Sequence, residues 1–313
     1  MRIKTPILWI YLVALAAIAL LGLFRGRRTD DEQIRIGVTF QNLQNEFVVT
    51  IQDAMRAKAH DLGVHLIEVD GQGKAEVQIA QVENFLALDV DAIILNPFDK
   101  YGSAPVVSLA KREQKPVVVV NATVVNLDQA DAYVGSNDLE AGNIAASHIA
   151  ELLKGQGKVA MMRGWNGHSA EIQRTQGILE TLKDHLDIEI VFDQTASWDR
   201  AKALALMENW LSTGKAIDAV IAQNDEMALG ACKAIEAAGH RDILVIGIDA
   251  IPDALRAVDE GTMCATVFQD ARGQGAQALE TAVHLVKGKT VPKTSYIPFQ
   301  LVTQQNLPTF YKP

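Results

Sequence analysis

From Ile34 onward, short apolar runs rich in β-branched residues alternate with stretches of helical period, and few folds accommodate that alternation. The runs are IRIGVTF (34–40), VHLIEVD (64–70), DAIILNP (91–97), PVVVVNA (116–122), KVAMMRG (158–164), IEIVFDQ (188–194), DAVIAQ (218–223), ILVIGID (243–249) and CATVFQ (264–269). Between the first two, EFVVTIQDAMRAKAHDLG places apolar residues at Phe47, Val48, Ile51, Ala54 and Met55. That spacing marks one face of a helix. ARGQGAQALETAVHLVKG reads in the same way, and Gly63 and Gly288 stand where C-caps would end the two helices. Alternation of this kind implies βαβ units and parallel sheets. The near-continuous apolar strands agree, because a parallel sheet is covered on both faces. There are more strands than one sheet comfortably holds, so two similar α/β halves are expected. With 313 residues, 49% of them hydrophobic, the chain can bury cores for both.

In parallel sheets, ligands sit beyond the carboxyl ends of the strands. The polar groups there are Gln41 to Glu46, Asn121, His168 to Arg174, Trp198, Asn224, Asp249 and Gln269. In the stretch AQNDEMALG, Asp225 is expected to cap the following helix, and Glu226 to be a first-turn charge. Catalytic and cofactor signatures are missing. No G-x-G-x-x-G follows a strand. KGKT (287–290) lacks the required glycine, which is Val283, and it follows a helix. Gly167-His168-Ser169 begins like a nucleophile elbow, but the second glycine position is Glu171, so Ser169 reads as a helix N-cap. The seven histidines form no H-E-x-x-H, and Cys232 and Cys264 have no zinc spacing. No metal and no cofactor are expected. Both cysteines read as small core residues, with a disulfide left open.

The first residues, MRIKTPILWIYLVALAAIALLGLFRGRR, hold an uncharged run from Thr5 to Phe24. Its length suits a bilayer's hydrocarbon core, so it is an export signal or a retained membrane anchor. No clear A-x-A site ends it, which favours the anchor. Residues 1–28 carry five of the 29 basic groups and no acid, leaving a body with 24 basic against 38 acidic residues. So negative a body argues against nucleic acid, whose phosphates need Lys and Arg.

Amides, an acid, an arginine and aromatic rings suit a neutral polyhydroxylated ligand. Each hydroxyl both donates and accepts, and it can be matched by an Asp acceptor and an Asn or Arg donor. Asn121, Asn224, Asp249 and Gln269 all close strands of the same kind, which raises each above an ordinary cap. With AQNDEMALGACKAI, VIGIDAIPDAL, ATVFQD, DAIILNP, VGSNDLEAG and SWDRAKALALMENWL in this order, the chain resembles the periplasmic sugar-binding proteins of ABC importers, ribose-binding type. The resemblance covers about residues 34–302.

That resemblance implies an α/β fold of two doubly wound parallel-sheet lobes joined by a three-crossing hinge, behind an N-terminal signal or membrane-anchor helix. Residues 1–33 would be the signal or anchor segment and linker. Residues 34–136 plus 270–296 would form the N-terminal lobe, and 137–269 plus 297–313 the C-terminal lobe, with crossings near Ser136, Gln269 and Ile297. It implies a non-enzymatic, monomeric receptor in the periplasm that binds a sugar or polyol between the lobes and delivers it to an ABC permease in the inner membrane. A sensor feeding a chemoreceptor or sensor kinase is the alternative. A sugar-responsive transcription regulator would need a basic helix-turn-helix where the membrane-length run stands, and a hydrolase would need Ser169. By position in the pattern, Trp198 is the stacking aromatic and Arg174 the guanidinium that clasps the ring. Asn224, Asp249 and Gln269 are polar cleft residues, Phe47 is a first-lobe aromatic and Gln44 its polar neighbour. The family's Asp-Arg after the fourth strand is Asn121-Ala122 here, and its second aromatic is Glu46. Those losses argue against plain ribose and for a polyol, a substituted sugar or a larger ligand, with Glu46 and Trp165 as replacement contacts.

Overall fold

The computed structural model describes residues 33–311, and the membrane-length run lies outside them. The first sheet contains β1 (Arg35–Phe40), β2 (His65–Asp70), β3 (Ala92–Leu95), β4 (Val117–Asn121), β5 (Ala132–Gly135) and β11 (Thr294–Tyr296), in the order β11-β5-β4-β3-β1-β2. The second contains β6 (Gln156–Arg163), β7 (Asp187–Thr195), β8 (Ala219–Ala222), β9 (Leu244–Asp249), β10 (Ala265–Phe268) and β12 (Gln300–Val302), in the order β12-β10-β9-β8-β6-β7. Both sheets therefore share one winding, in which the first strand of each lies between its second and third. Every pairing is parallel except that of β12 with β10. The chain thus forms two α/β lobes with parallel-sheet cores.

Helices cover the sheets. The first lobe uses α1 (Glu46–Leu62), α2 (Ala75–Ala87) and α3 (Ala104–Arg112). The second uses α4 (Asp138–Leu152), α5 (Ser169–Leu182), α6 (Arg200–Ser212), α7 (Asp225–Ala237) and α8 (Pro252–Asp259). Helix α9 (Ala271–Val286) follows β10 of the second sheet but packs on α1, β3 and β4 of the first. Helix α1 has its apolar face where the spacing placed it, with Phe47, Val48, Ile51, Ala54 and Met55 all buried. Gly63, at φ +66°, ends it in the left-handed conformation that glycine adopts without cost. Helix α9 is capped instead by Lys287, with Gly288 one residue beyond.

Every residue of β3 and β4 is buried, which explains their near-continuous Ile and Val. The chain passes between the sheets three times: after β5 into α4, after β10 into α9, and from β11 to β12. Both cysteines carry free thiols. The Cys232 Sγ donates to the Thr262 carbonyl at 3.5 Å and the Cys264 Sγ to that of Val245 at 3.1 Å. Burial pushes both thiols up to about 12, so neither is a ready nucleophile.

Candidate functional site

The carboxyl ends of both sheets face one cavity of about 340 Å³. From the first lobe it is lined by Gln41, Asn45, Phe47 and Asn121. From the second come His168, Ala170, Arg174, Trp198, Asn224 and Asp249, and Gln269 lines it from the crossing after β10. The lobes are shut around it. His168 Nε2 lies 2.7 Å from Gln41 Oε1, Lys100 N donates to the Gly167 carbonyl at 2.9 Å, and Thr123 N donates to Ser169 Oγ at 2.7 Å. Phe98 meets Trp165 edge to face, with ring centroids 5.3 Å apart.

Seven of the eight residues singled out from the sequence line this cavity: Phe47, Asn121, Arg174, Trp198, Asn224, Asp249 and Gln269. Gln44 does not. It lines an adjoining chamber with Asn42, Phe98, Trp165, Arg200 and Glu226. Gln41, Asn45 and His168 belong to the polar loops noted above, yet nothing in their spacing distinguished them from their neighbours.

Two of these residues follow from helix physics. Asn45 Oδ1 accepts from Val48 N at 3.2 Å, and Asn224 Oδ1 accepts from Met227 N at 3.1 Å. Each is thereby an N-cap, whose carbonyl oxygen is spent on its helix while its amide nitrogen remains a donor. The expected cap Asp225 is displaced by one residue. Asn224 has the extended backbone a cap needs, and Asp225 turns inward to accept from Thr266 Oγ1 at 2.7 Å and Ile251 N at 3.0 Å. Ser169 is likewise not the N-cap of α5. His168 takes that place, its Nδ1 accepting from Ala170 N at 3.2 Å, while the Ser169 hydroxyl spans the cleft. Glu226, read as a plain first-turn charge, pairs with Arg200 at 2.6 Å.

Three cavity residues hold left-handed backbones: Asn121 at φ +67°, Trp198 at +59° and Asp249 at +124°. Such conformations cost free energy and persist only where the surroundings impose them. At Asn121 the restraint is visible. Its carbonyl accepts from the buried Tyr133 hydroxyl at 2.7 Å, and its Nδ2 donates to Gln274 Oε1 at 3.1 Å. Trp198 lies flat against Gly164, where a Cβ would collide with the indole.

Arg174 is 3% exposed and held by three hydrogen bonds within the second lobe and its crossing. Its Nε donates to Asp138 Oδ1 at 2.9 Å, its Nη2 to Gln269 Oε1 at 3.0 Å, and its Nη1 to the Gln223 carbonyl. Asp249 stands 3.8 Å from Nη1, too far for a hydrogen bond. A guanidinium has five N–H groups, so two remain for a ligand. Its carbon lies 5.7 Å from the centroid of the Trp198 ring.

Burial raises the Asp249 carboxyl well above the ordinary carboxylate range. Arg174 offsets part of that, while Asp225 and Asp138 add to it. Burial likewise pushes Asp225 up to about 7 against its hydrogen bonds to Thr266 and Ile251, and raises Asp138 against the pull of Arg174. His168 is pushed down to about 3, by burial first and Arg174 second. It is therefore neutral. With Nδ1 accepting from a backbone N–H, the proton sits on Nε2 and is donated to Gln41. Both ring nitrogens are occupied, which leaves no base beside Ser169.

Two buried donors in the cavity, Trp198 Nε1 and Gln269 Nε2, have no hydrogen-bond partner. Buried polar groups are nearly always paired, so these two N–H groups are free to donate to a group entering the cavity. Asp249 supplies an acceptor. Arg174, Asn45 and Asn224 supply further donors, and the Trp198 and Phe47 rings supply apolar faces. Among the described residues, no group of three or more His, Cys, Asp or Glu is placed to hold a metal ion.

Comparison with known proteins agrees with this geometry. The family model described as periplasmic binding protein domain matches residues 36–290. A putative rhizopine-binding protein of Rhizobium meliloti is 40% identical over 283 residues, which cover 88% of this chain and 92% of that protein. The ribose import binding protein of Bacillus subtilis is 35% identical over 274 residues, covering 88% of each. A solved ABC transporter solute-binding protein from Bacillus halodurans with bound myo-inositol superposes with a TM-score of 0.88 at 42% identity, covering 90% of this chain and 99% of that one.

Proposed function

This chain belongs to the periplasmic binding protein family, and from that premise we propose that it captures a neutral ring polyol of the inositol class for an ABC importer. Members of the family bind solutes rather than transform them, and no acid–base pair in the cavity is arranged for catalysis. The observation that carries the reading is the pair of unpartnered N–H groups, Trp198 Nε1 and Gln269 Nε2, buried in a cavity lined from both lobes. A ring presenting hydroxyls around its edge satisfies both while offering hydrogens to Asp249 and C–H faces to the indole. The myo-inositol-bound relative at 42% identity supports a cyclitol. Asn121 and Ala122, which replace a carboxylate and a guanidinium of the ribose pattern, weigh against ribose.

On this reading the N-terminal lobe is residues 34–136 plus 270–296, and the C-terminal lobe is 137–269 plus 297–313. The ligand favours the shut form through contacts to both, and can do so only by its differential affinity for the two forms. The monomeric shut form docks on an inner-membrane permease. Residues 1–33 carry the body to the periplasm, as a signal or a retained anchor. Titration calorimetry of the full chain against pentoses, hexoses, linear polyols and inositols tests this. Heat from an inositol, with ribose at least about tenfold weaker, is expected. Heat from none of them overturns the proposal.

A further inference from the structure

A second space adjoins the cavity. Gln41, Asn45 and Trp198 also form one wall of this adjoining chamber, which opens to solvent. Both lobes build the chamber, through Gln44 and Phe98 on one side and Trp165 and Lys202 on the other. Phe98 and Trp165 form their edge-to-face pair here, and the Lys202 ammonium lies 5.0 Å above the Trp165 ring.

The chemistry of these walls matches that of the inner cavity. Amides come from Gln41, Asn42, Gln44 and Asn45, and aromatic surface comes from Phe98, Trp165 and Trp198. The charged walls balance, with Asp199 and Glu226 against Arg200 and Lys202. Arg200 is moreover shared between Glu226 at 2.6 Å and Asp253 at 3.1 Å, so these charges are held in ion pairs. Such a lining favours a neutral polyhydroxylated group over an anion or a cation, because hydroxyls pair with amides and sugar C–H faces pack on indole. Lys202 is exposed, where a cation–π contact is weak, so an incoming ring displaces it cheaply.

We infer that the chamber is a second sugar subsite and that the natural ligand is a two-unit molecule: a polyol ring in the inner cavity carrying a neutral glycosyl group that passes between Gln41, Asn45 and Trp198 to lie against Trp165. The inference rests on the polyol reading above and narrows it. Gln44, which misses the inner cavity, has its place here as a contact of the outer ring.

The test compares myo-inositol with a set of myo-inositols bearing a single galactosyl group at each ring position, by calorimetry on the full chain. At least one galactoside is expected to bind as tightly as myo-inositol or tighter. Trp165→Ala and Gln44→Ala are expected to raise the ratio of that galactoside's Kd to the myo-inositol Kd by about tenfold each. The ratio matters because Trp165 also touches Phe98 across the cleft, and a loss of closure weakens both ligands alike. If every galactoside binds about a hundredfold or more weaker than myo-inositol, or if both variants leave the ratio unchanged, the chamber is an empty mouth and the inference fails while the inositol reading stands. If neither myo-inositol nor any galactoside binds, both fail together.

Discussion

Trp198 shows how one residue can be unfavourable for stability and useful for binding. Its backbone is left-handed, its ring fills the space where Gly164 has no side chain, and its buried Nε1–H has no protein partner. Trp198→Phe keeps an aromatic face and removes the orphan donor. Affinity for myo-inositol is expected to fall about three- to tenfold, the worth of one neutral hydrogen bond, while the thermal midpoint of the ligand-free protein holds or rises. Calorimetry and a melting curve on the same samples check both halves.

His168 gives a pH dependence whose sign can be worked out. In the shut form burial first and Arg174 second hold it at about 3 against an ordinary 6.5; Arg174 shares its helix in either form, so it is the burial added by the first lobe at Gln41 that makes protonation oppose closure. The stabilising contribution of the neutral ring is fully present above pH 6.5 and is lost progressively as pH falls toward 3, by up to about tenfold in affinity per unit. Asp249, with its raised carboxyl, pulls the other way. The comparison with His168→Gln therefore isolates the histidine: the ratio of variant to wild-type affinity for myo-inositol is expected to rise as pH is lowered below 6.5. Most of these residues were legible in the sequence because a strand's carboxyl end is a fixed address for a side chain. Gln44 was singled out too but lines the neighbouring chamber, because the loop after β1 turns within a few residues and a one-residue step redirects a side chain.

At the scale of elements, Arg174 on α5 is tied to every passage between the lobes. Asp138, at the start of α4, follows the first; Gln269 lies on the second; and Phe299, whose ring centroid is 5.9 Å from the guanidinium carbon, lies on the third. Helices α4 and α5 press close enough that a Cβ on Gly142 would strike the Arg174 carbonyl, which fixes the backbone from which the guanidinium projects. Asp138→Asn breaks a buried ion pair and leaves Asp249 as the nearest carboxylate to Arg174. Affinity for myo-inositol is expected to drop by more than about tenfold and the thermal midpoint to fall, both readable from ligand-dependent melting. If affinity is unchanged, Asp138 plays no part in presenting the arginine.

Nine strands were legible from their β-branched runs, but β5, β11 and β12 were not. They are four, three and three residues long, and AYVG, TSY and QLV carry no pattern of their own. They are strands because β4 offers an edge to β5, β5 in turn to β11, and β10 to β12, so tertiary pairing overrides local preference. The one-residue displacement of the caps at Ser169 and Asp225 has a similar origin. Adjacent polar residues compete for one cap, and backbone geometry, invisible in composition, decides between them.

For the whole molecule, two sheets of identical winding face each other with their carboxyl ends, and the chain threads between them three times. The repetition was readable as a surplus of strands for one sheet. The shut arrangement was not, because it depends on contacts between residues far apart in the chain, such as Gln41 with His168 and Phe98 with Trp165. Those contacts close over unpartnered donors, so the shut form is expected to dominate only when a ligand supplies the missing acceptors. The most direct measurement is the distance between spin labels at Tyr101 and Asn166, exposed positions on opposite sides of the cleft mouth, with and without saturating myo-inositol. A broad distribution that collapses to a single short distance on addition is the expected result. A distribution that does not change would contradict the claim that a ring polyol is held between the two lobes.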